Sequence, residues 1–239
     1  MKSRLWLAVF LCFAVGLALA QAPGDLASDS HYTLLLKNDK VRVFQLSLSP
    51  AQQVFVQHDH NFLMIMLQDS EVVIWRDGES AIQSFTFKKG DMRFYFGGHA
   101  YGIRDDRTAS FSSITVEFLD PKVSTWGYQW QSGTWDYSPF GSVTPVDPQA
   151  KYMNSTRLGD IVVTNAQLLP GDSYPAPEKA SAELLVPITD LDLKAANGQR
   201  IRKSLGDAIW IPGEQKSRFV NADSDPARFV VVEFPPPAQ

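Results

Sequence analysis

The chain has 239 residues, with 22 Lys and Arg against 26 Asp and Glu, for a formal net charge of -4 at pH 7. Aromatics at 12% and charged residues at 20% fit a globular protein and exclude a disordered one. No basic patch rises above the acidic balance, which argues against nucleic acid as a partner.

Residues 1–20 read as a secretory signal peptide. Lys2 and Arg4 supply a positive start, Leu5 to Leu17 is almost purely apolar, and Ala18-Leu19-Ala20 is a small-x-small cleavage site before Gln21. The apolar run is short of the roughly 20 residues that a span requires. Cleavage is therefore expected to leave no stable membrane span, and the protein is expected to be exported, to a periplasm or the outside. The single cysteine, Cys12, lies in this leader. The mature chain then has neither disulfide nor thiol chemistry, and its core alone must hold it together.

Residues 21–31 form a polar, flexible lead-in. Short strand signals follow: Tyr32 to Leu36, the alternating Val41 to Leu48, the continuous apolar run Phe62 to Leu67, Glu71 to Trp75, Ser84 to Phe87, Met92 to Phe96 and Ser110 to Phe118. Turn signals separate them at Arg76-Asp77-Gly78, Lys89-Gly90-Asp91 and Gly97-Gly98. No helical periodicity of useful length is present. Three of the four histidines, His58, His60 and His99, fall in this half. The i, i+2 spacing of His58 and His60 would put both imidazoles on one face of an extended strand. That is how a β-scaffold presents two metal-ligand nitrogens. Residues 120–156 differ, with Trp126, Tyr128, Trp130, Trp135, Tyr137 and Phe140 among Gly, Ser and Pro. These rings are expected to pack on a barrel; a lid or stacking platform for a flat ligand is the other reading.

The pattern then restarts. Val41-Arg42-Val43 and Leu48-Ser49-Pro50 correspond to Ile161-Val162-Val163 and Leu168-Leu169-Pro170, both at an offset of 120. Lys89-Gly90-Asp91 corresponds to Leu205-Gly206-Asp207, and Val116-Glu117-Phe118 to Val232-Glu233-Phe234, both at 116. Landmarks in one order at a nearly constant offset indicate an internal duplication.

These residues resemble the cupin superfamily, and the two units resemble a bicupin. His58-Asp59-His60 matches the histidine pair of the first cupin motif. Gly90 to Gly98 follows the start of the second, with Phe96 in the proline place. Gly206 to Pro212 fits that motif better, and Asn221 falls on its terminal asparagine. The resemblance implies an all-β protein of two tandem jelly-roll barrels, at 32–119 and 157–235, joined by the aromatic segment. The motif's glutamate place falls on Met64 or Ile65, and its last histidine on Tyr101, with His99 two residues earlier and Asp105 in the asparagine place. In the second unit Glu178 and Ala180 replace the histidine pair, Ser217 replaces the last histidine, and Glu183 stands near the glutamate place.

The expected site is therefore in the N-terminal barrel. His58, His60 and His99 are the candidate ligands of one divalent transition metal (Zn, Fe, Mn, Ni or Cu). Gln57, Tyr101 and Asp105 are candidate ligand-binding residues, and Tyr101 and Asp105 could also assist catalysis. Two functions stay open: an exported bicupin that binds a small polar molecule, and a metal-dependent dioxygenase or isomerase. A small-molecule ligand is the expected partner, and a homodimer is an assembly this fold admits.

Overall fold

A computed structural model describes residues 23–78, 82–105, 110–119, 136–137, 147, 149–176, 181–213 and 218–235. The expected leader, most of the aromatic segment, and Glu178, Ala180 and Ser217 lie outside these residues. The described residues form 20 strands and no helix, so none could supply a helix that crosses a membrane.

The N-terminal unit is a sandwich of two sheets. The first has the order β1 (Gly24–Asp25), β4 (Gln53–His58), β9 (His99–Asp105), β6 (Ser70–Arg76), β7 (Ile82–Phe87). The second has the order β11 (Asp136–Tyr137), β8 (Met92–Tyr95), β5 (Phe62–Met66), β10 (Phe111–Phe118), β3 (Val41–Leu48), β2 (Tyr32–Lys37). The C-terminal unit repeats the plan with fewer strands. One sheet runs β12 (Tyr152–Leu158), β13 (Ile161–Leu168), β20 (Ala227–Phe234), β15 (Ala182–Pro187), β18 (Ile209–Ile211). The other runs β14 (Ser173–Tyr174), β19 (Phe219–Asn221), β16 (Leu191–Ala195), β17 (Arg200–Lys203).

Side-chain alternation decides what each strand buries. On β3, Val41 and Val43 point one way and Phe44, Leu46 and Leu48 the other, and all five are buried. On β5, Leu63 and Ile65 join the first set, and Phe62, Met64 and Met66 the second. β15 and β20 split likewise: Leu184, Val186, Val230, Val232 and Phe234 against Leu185, Phe229 and Val231. The first set from each unit merges into one apolar cluster. The two larger sheets thus pack face to face, and their central strands β3, β5, β10, β13, β15 and β20 are covered on both faces. This explains the continuous apolar runs in β5 and β15.

The contact across this seam is near-symmetric. Gly206 has φ +81°, and a Cβ there would meet Leu67 Cδ1 at 2.8 Å. Its counterpart Gly90 has φ +90°, and a Cβ there would meet Nη2 of Arg228 at 2.9 Å and Cγ2 of Ile188 at 3.5 Å. Each unit leans a turn glycine on the other. Phe118 and Phe234, equivalent by the repeat, meet with ring centroids 6.3 Å apart.

Changing Gly206 or the open-space Gly198 to Ala tests the seam. Both have positive φ, but only Gly206 faces a packed neighbour. Each should lose about 1–2 kcal/mol to the left-handed conformation. Gly206→Ala should lose more, measured by urea unfolding, because Leu67 must also shift.

Candidate functional site

β4 extends Val54, Val56 and His58 towards the interior of the N-terminal unit, where all three are buried. His58 ends the strand at 1% exposure. Its ring stacks on Phe62 with centroids 3.8 Å apart and has the edge of Tyr101 at 5.9 Å. His58 Nδ1 lies 3.2 Å from Oε1 of Glu117, which is fully buried on β10. Oε2 of Glu117 accepts from Arg42 Nε at 2.8 Å and pairs with Arg42 Nη2 at 2.6 Å. Burial lowers the His58 pKa, and the nearby Glu117 carboxylate only partly opposes it. The imidazole is therefore neutral at pH 7, with Nδ1–H donating to Glu117. Arg42 supplies the countercharge that allows Glu117 to be buried.

The other candidates do not converge on this imidazole. β4 stops at His58, so His60 lies in the bend beyond and the shared-face argument does not reach it. The backbone of His60 is instead pressed against Gly97, whose α-hydrogen leaves the only room. His99 opens β9 directly opposite His58. Its side chain is 40% exposed, with Nδ1 3.4 Å from Asp77 Oδ1. Tyr101 is buried, faces His58, and donates its hydroxyl to the Phe96 carbonyl at 2.8 Å. Asp105 is buried at the opposite end of β9, about 20 Å along the strand from His99 at about 3.3 Å per residue. Gln57 sits on the alternate, outer face of β4, in register with Asp25 and Ala100. Met64 and Ile65, in the motif's glutamate place, are apolar core.

Among the described residues no group of three His, Cys, Asp or Glu could hold a metal ion. His58, His60 and His99, the expected donors, are not gathered into such a group. One imidazole is buried and bonded to Glu117, one lies beyond the strand, and one is turned to Asp77. The residues present do not fit the metal. Arg42 and Glu117 were not among the expected site residues. The sequence signal for Glu117 is a charged residue between the apolar Val116 and Phe118 near the end of a strand.

The interior of the C-terminal unit differs. In the N-terminal unit Val72 pairs with Phe85, Ser70 with Phe87, and Phe62 with Tyr95. The guanidinium of Arg93 lies over Phe85 and Phe87, at 4.6 and 5.4 Å from the ring centres. At the same register, Leu193 pairs with Ile201, Leu191 with Lys203, and Glu183 with Ile211. Three rings are thus replaced by Ile201, Lys203 and Ile211. A cleft of about 560 Å³ opens there, between edge strands β17 and β18, with Ile209 and Phe219 also on its wall. In the N-terminal unit β11 lies along the outer edge of β8. Among the described residues β18 has no such neighbour. Deeper in the unit, Glu183 and Glu233 stand opposite each other across β15 and β20. Burial, followed by interaction with these two carboxylates, holds the Tyr174 pKa far above its ordinary value, against a hydrogen bond from Thr164.

Two jelly-roll sandwiches, each with a six- or five-stranded sheet on the shared seam, define a two-barrel protein of cupin fold. The cupin resemblance read from the motifs is thereby a property of the structure. The chain is similar to AerE from Microcystis aeruginosa at 10% identity and a TM-score of 0.64, covering 90% of this chain and 97% of that one. It is similar to a cupin 2 conserved barrel domain protein from Leptotrichia buccalis at 12% identity and a TM-score of 0.53, covering 85% and 88%. It is also similar to a variant of oxalate decarboxylase from Bacillus subtilis at 12% identity and a TM-score of 0.57, covering 84% and 71%. At these identities the likeness is one of fold. No protein-family model matches the chain, and no curated protein matches it in sequence.

The buried histidine has a pH signature. The unfolded imidazole takes a proton near pH 6.5, the folded one only at lower pH, so the unfolded state binds more protons in between. Stability should be full above about pH 6.5 and fall as pH drops below it, and His58→Phe should flatten that loss in urea titrations. Glu117→Ala strands Arg42 beside a buried imidazole and should cost about 3 kcal/mol at pH 7.

Proposed function

We propose that this is an exported binding protein that holds a small molecule in its C-terminal barrel. The observation that carries the reading is the register comparison of the two units. Phe85, Phe87 and Tyr95 fill the first barrel, and Ile201, Lys203 and Ile211 leave a cleft of about 560 Å³ in the second. Ligand sites are concave, mostly apolar and roughly 300–1,000 Å³ in volume. This cleft has that size, an apolar floor, and Arg200, Arg202 and Lys203 on its lining. The small-molecule partner thus belongs with the second unit, while the first contributes the rigid half of the seam.

The metal-enzyme alternative has no support in the donor geometry around His58. The name of oxalate decarboxylase among the structurally similar proteins adds a shared fold and no shared donors. Export rests on the reading of residues 1–20 as a leader, and mass spectrometry of the exported chain should find Gln21 first.

Binding is tested with 8-anilinonaphthalene-1-sulfonate on the native protein, by fluorescence enhancement. The wild type should give saturable one-site binding. Ile201→Trp, which restores a ring where the N-terminal unit has Phe85, should abolish it while circular dichroism stays unchanged. Equal binding by both proteins would place the dye elsewhere and reject the cleft.

A further inference from the structure

We infer that the cleft ligand is an amphipathic anion: an apolar body lying on Ile201, Ile209, Ile211 and Phe219, with one carboxylate-like group held by Lys203. This deepens the preceding proposal and rests on the C-terminal cleft being the binding site.

Lys203 pairs with Leu191, and Ile201 with Leu193. Directly opposed residues share a sheet face. Leu191 and Leu193 belong to the interior cluster of this unit, at 4% and 0% exposure. Lys203 and Ile201 therefore stand on the interior face, and Lys203 occupies the position at which the N-terminal unit buries Phe87. The Lys203 side chain is 39% exposed, so its stem lies on the apolar face while its ammonium reaches the cleft mouth and water.

The neighbouring charges single out Lys203. Arg200 and Arg202 alternate to the outer face, opposite Lys194 and Asp192. Both donate to the same carboxylate, Asp192, with Nε–O distances of 3.0 Å each. Both arginines also border the cleft, but their charge is already paired with Asp192. Lys203 Nζ has Asp207 Oδ2 at 3.9 Å, beyond hydrogen-bond distance, and that carboxylate is itself 43% exposed. Oδ2 of Asp207 also accepts from the backbone N–H of Ser204 at 3.1 Å. The half-exposed ammonium, only loosely paired with Asp207, thus retains donors for a ligand anion. A neutral apolar ligand would leave it desolvated and unpaired, and a cationic one would be repelled.

The chemistry of the wall sets the rest of the molecule. Ile201, Ile209, Ile211 and Phe219 offer dispersion contacts and no hydrogen bonds, so the part of the ligand they cover is apolar, while Asn197, Gln199 and the basic side chains line the polar part of the cleft. The cleft opens at the seam between two edge strands, where a chain or ring can enter end-on and leave its charged group at Lys203.

The experiment uses the full exported chain and three probes of equal chain length, decanoate, 1-decanol and decylamine, in isothermal titration with Lys203→Met alongside. The wild type should bind decanoate about 10-fold or more tightly than decanol, as a hydrogen bond to a charged group is worth about 1.5–3 kcal/mol. Decylamine should not bind. Lys203→Met should erase the preference and leave decanol affinity unchanged. Decanol binding as well as decanoate in the wild type, with no effect of Lys203→Met, would overturn the anion and leave the cleft standing. No binding of decanoate or decanol would overturn both the anion and the cleft. Preferential binding of decylamine would reverse the sign of the site.

Discussion

The structure depends on the apolar seam between the two larger sheets. Val41, Val43, Leu63, Ile65, Val116 and Phe118 from one unit, and Ile161, Val163, Leu184, Val186, Val232 and Phe234 from the other, form a single buried cluster. With the only cysteine in the expected leader, no covalent link holds the mature chain, and each sheet would otherwise present an unpaired apolar face to water. The seam also frees the two barrels from doing the same job. Once the outer faces of the large sheets are buried against each other, one interior can be packed solid and the other left partly open.

That division shows in the two interiors. The first is dense with rings: Phe62 stacks on Tyr95 at 4.9 Å and stands at 5.4 Å from Tyr101, and Phe85 stacks on Phe87 at 5.5 Å. The Arg42–Glu117–His58 group in it is internally compensated and closes the end of the barrel where the strand β4 stops. The second interior holds shorter side chains, two opposed carboxylates and an inward lysine. Duplication followed by unequal filling gives a stable half and a receptive half from one plan. The histidines, which draw the eye in the sequence, lie in the stable half.

Much of this architecture is legible in the sequence, for physical reasons. Alternation in Val41 to Leu48 is a sheet with two different environments on its faces, and the structure uses both faces. The doubled landmarks mark equivalent turns and last strands because both must satisfy the same seam, as Gly90 and Gly206 do. What the sequence could not convey is where a strand ends. The His58 and His60 pair shares a face only if β4 continues two residues further, and the bend at His60, followed by Asn61 whose Oδ1 accepts from the Gly97 N–H at 2.9 Å, forbids that. Nor does a motif show that Glu117, 59 residues downstream, will take the histidine nitrogen. The cleft was hidden for a related reason. Its signal is a set of absences, rings missing at positions 201, 203 and 211, and absences become visible only when the strand register aligns the two halves.

The central claim is that the second barrel, not the histidine-bearing first, receives the ligand. Anomalous X-ray diffraction from crystals soaked with 10-bromodecanoate tests it directly, since the bromine position needs no assumption about affinity. A bromine peak is expected among Ile201, Ile209, Ile211 and Phe219, with the carboxylate density at Lys203. A peak beside His58 and Tyr101 in the N-terminal barrel, with the C-terminal cleft holding only solvent, would contradict it.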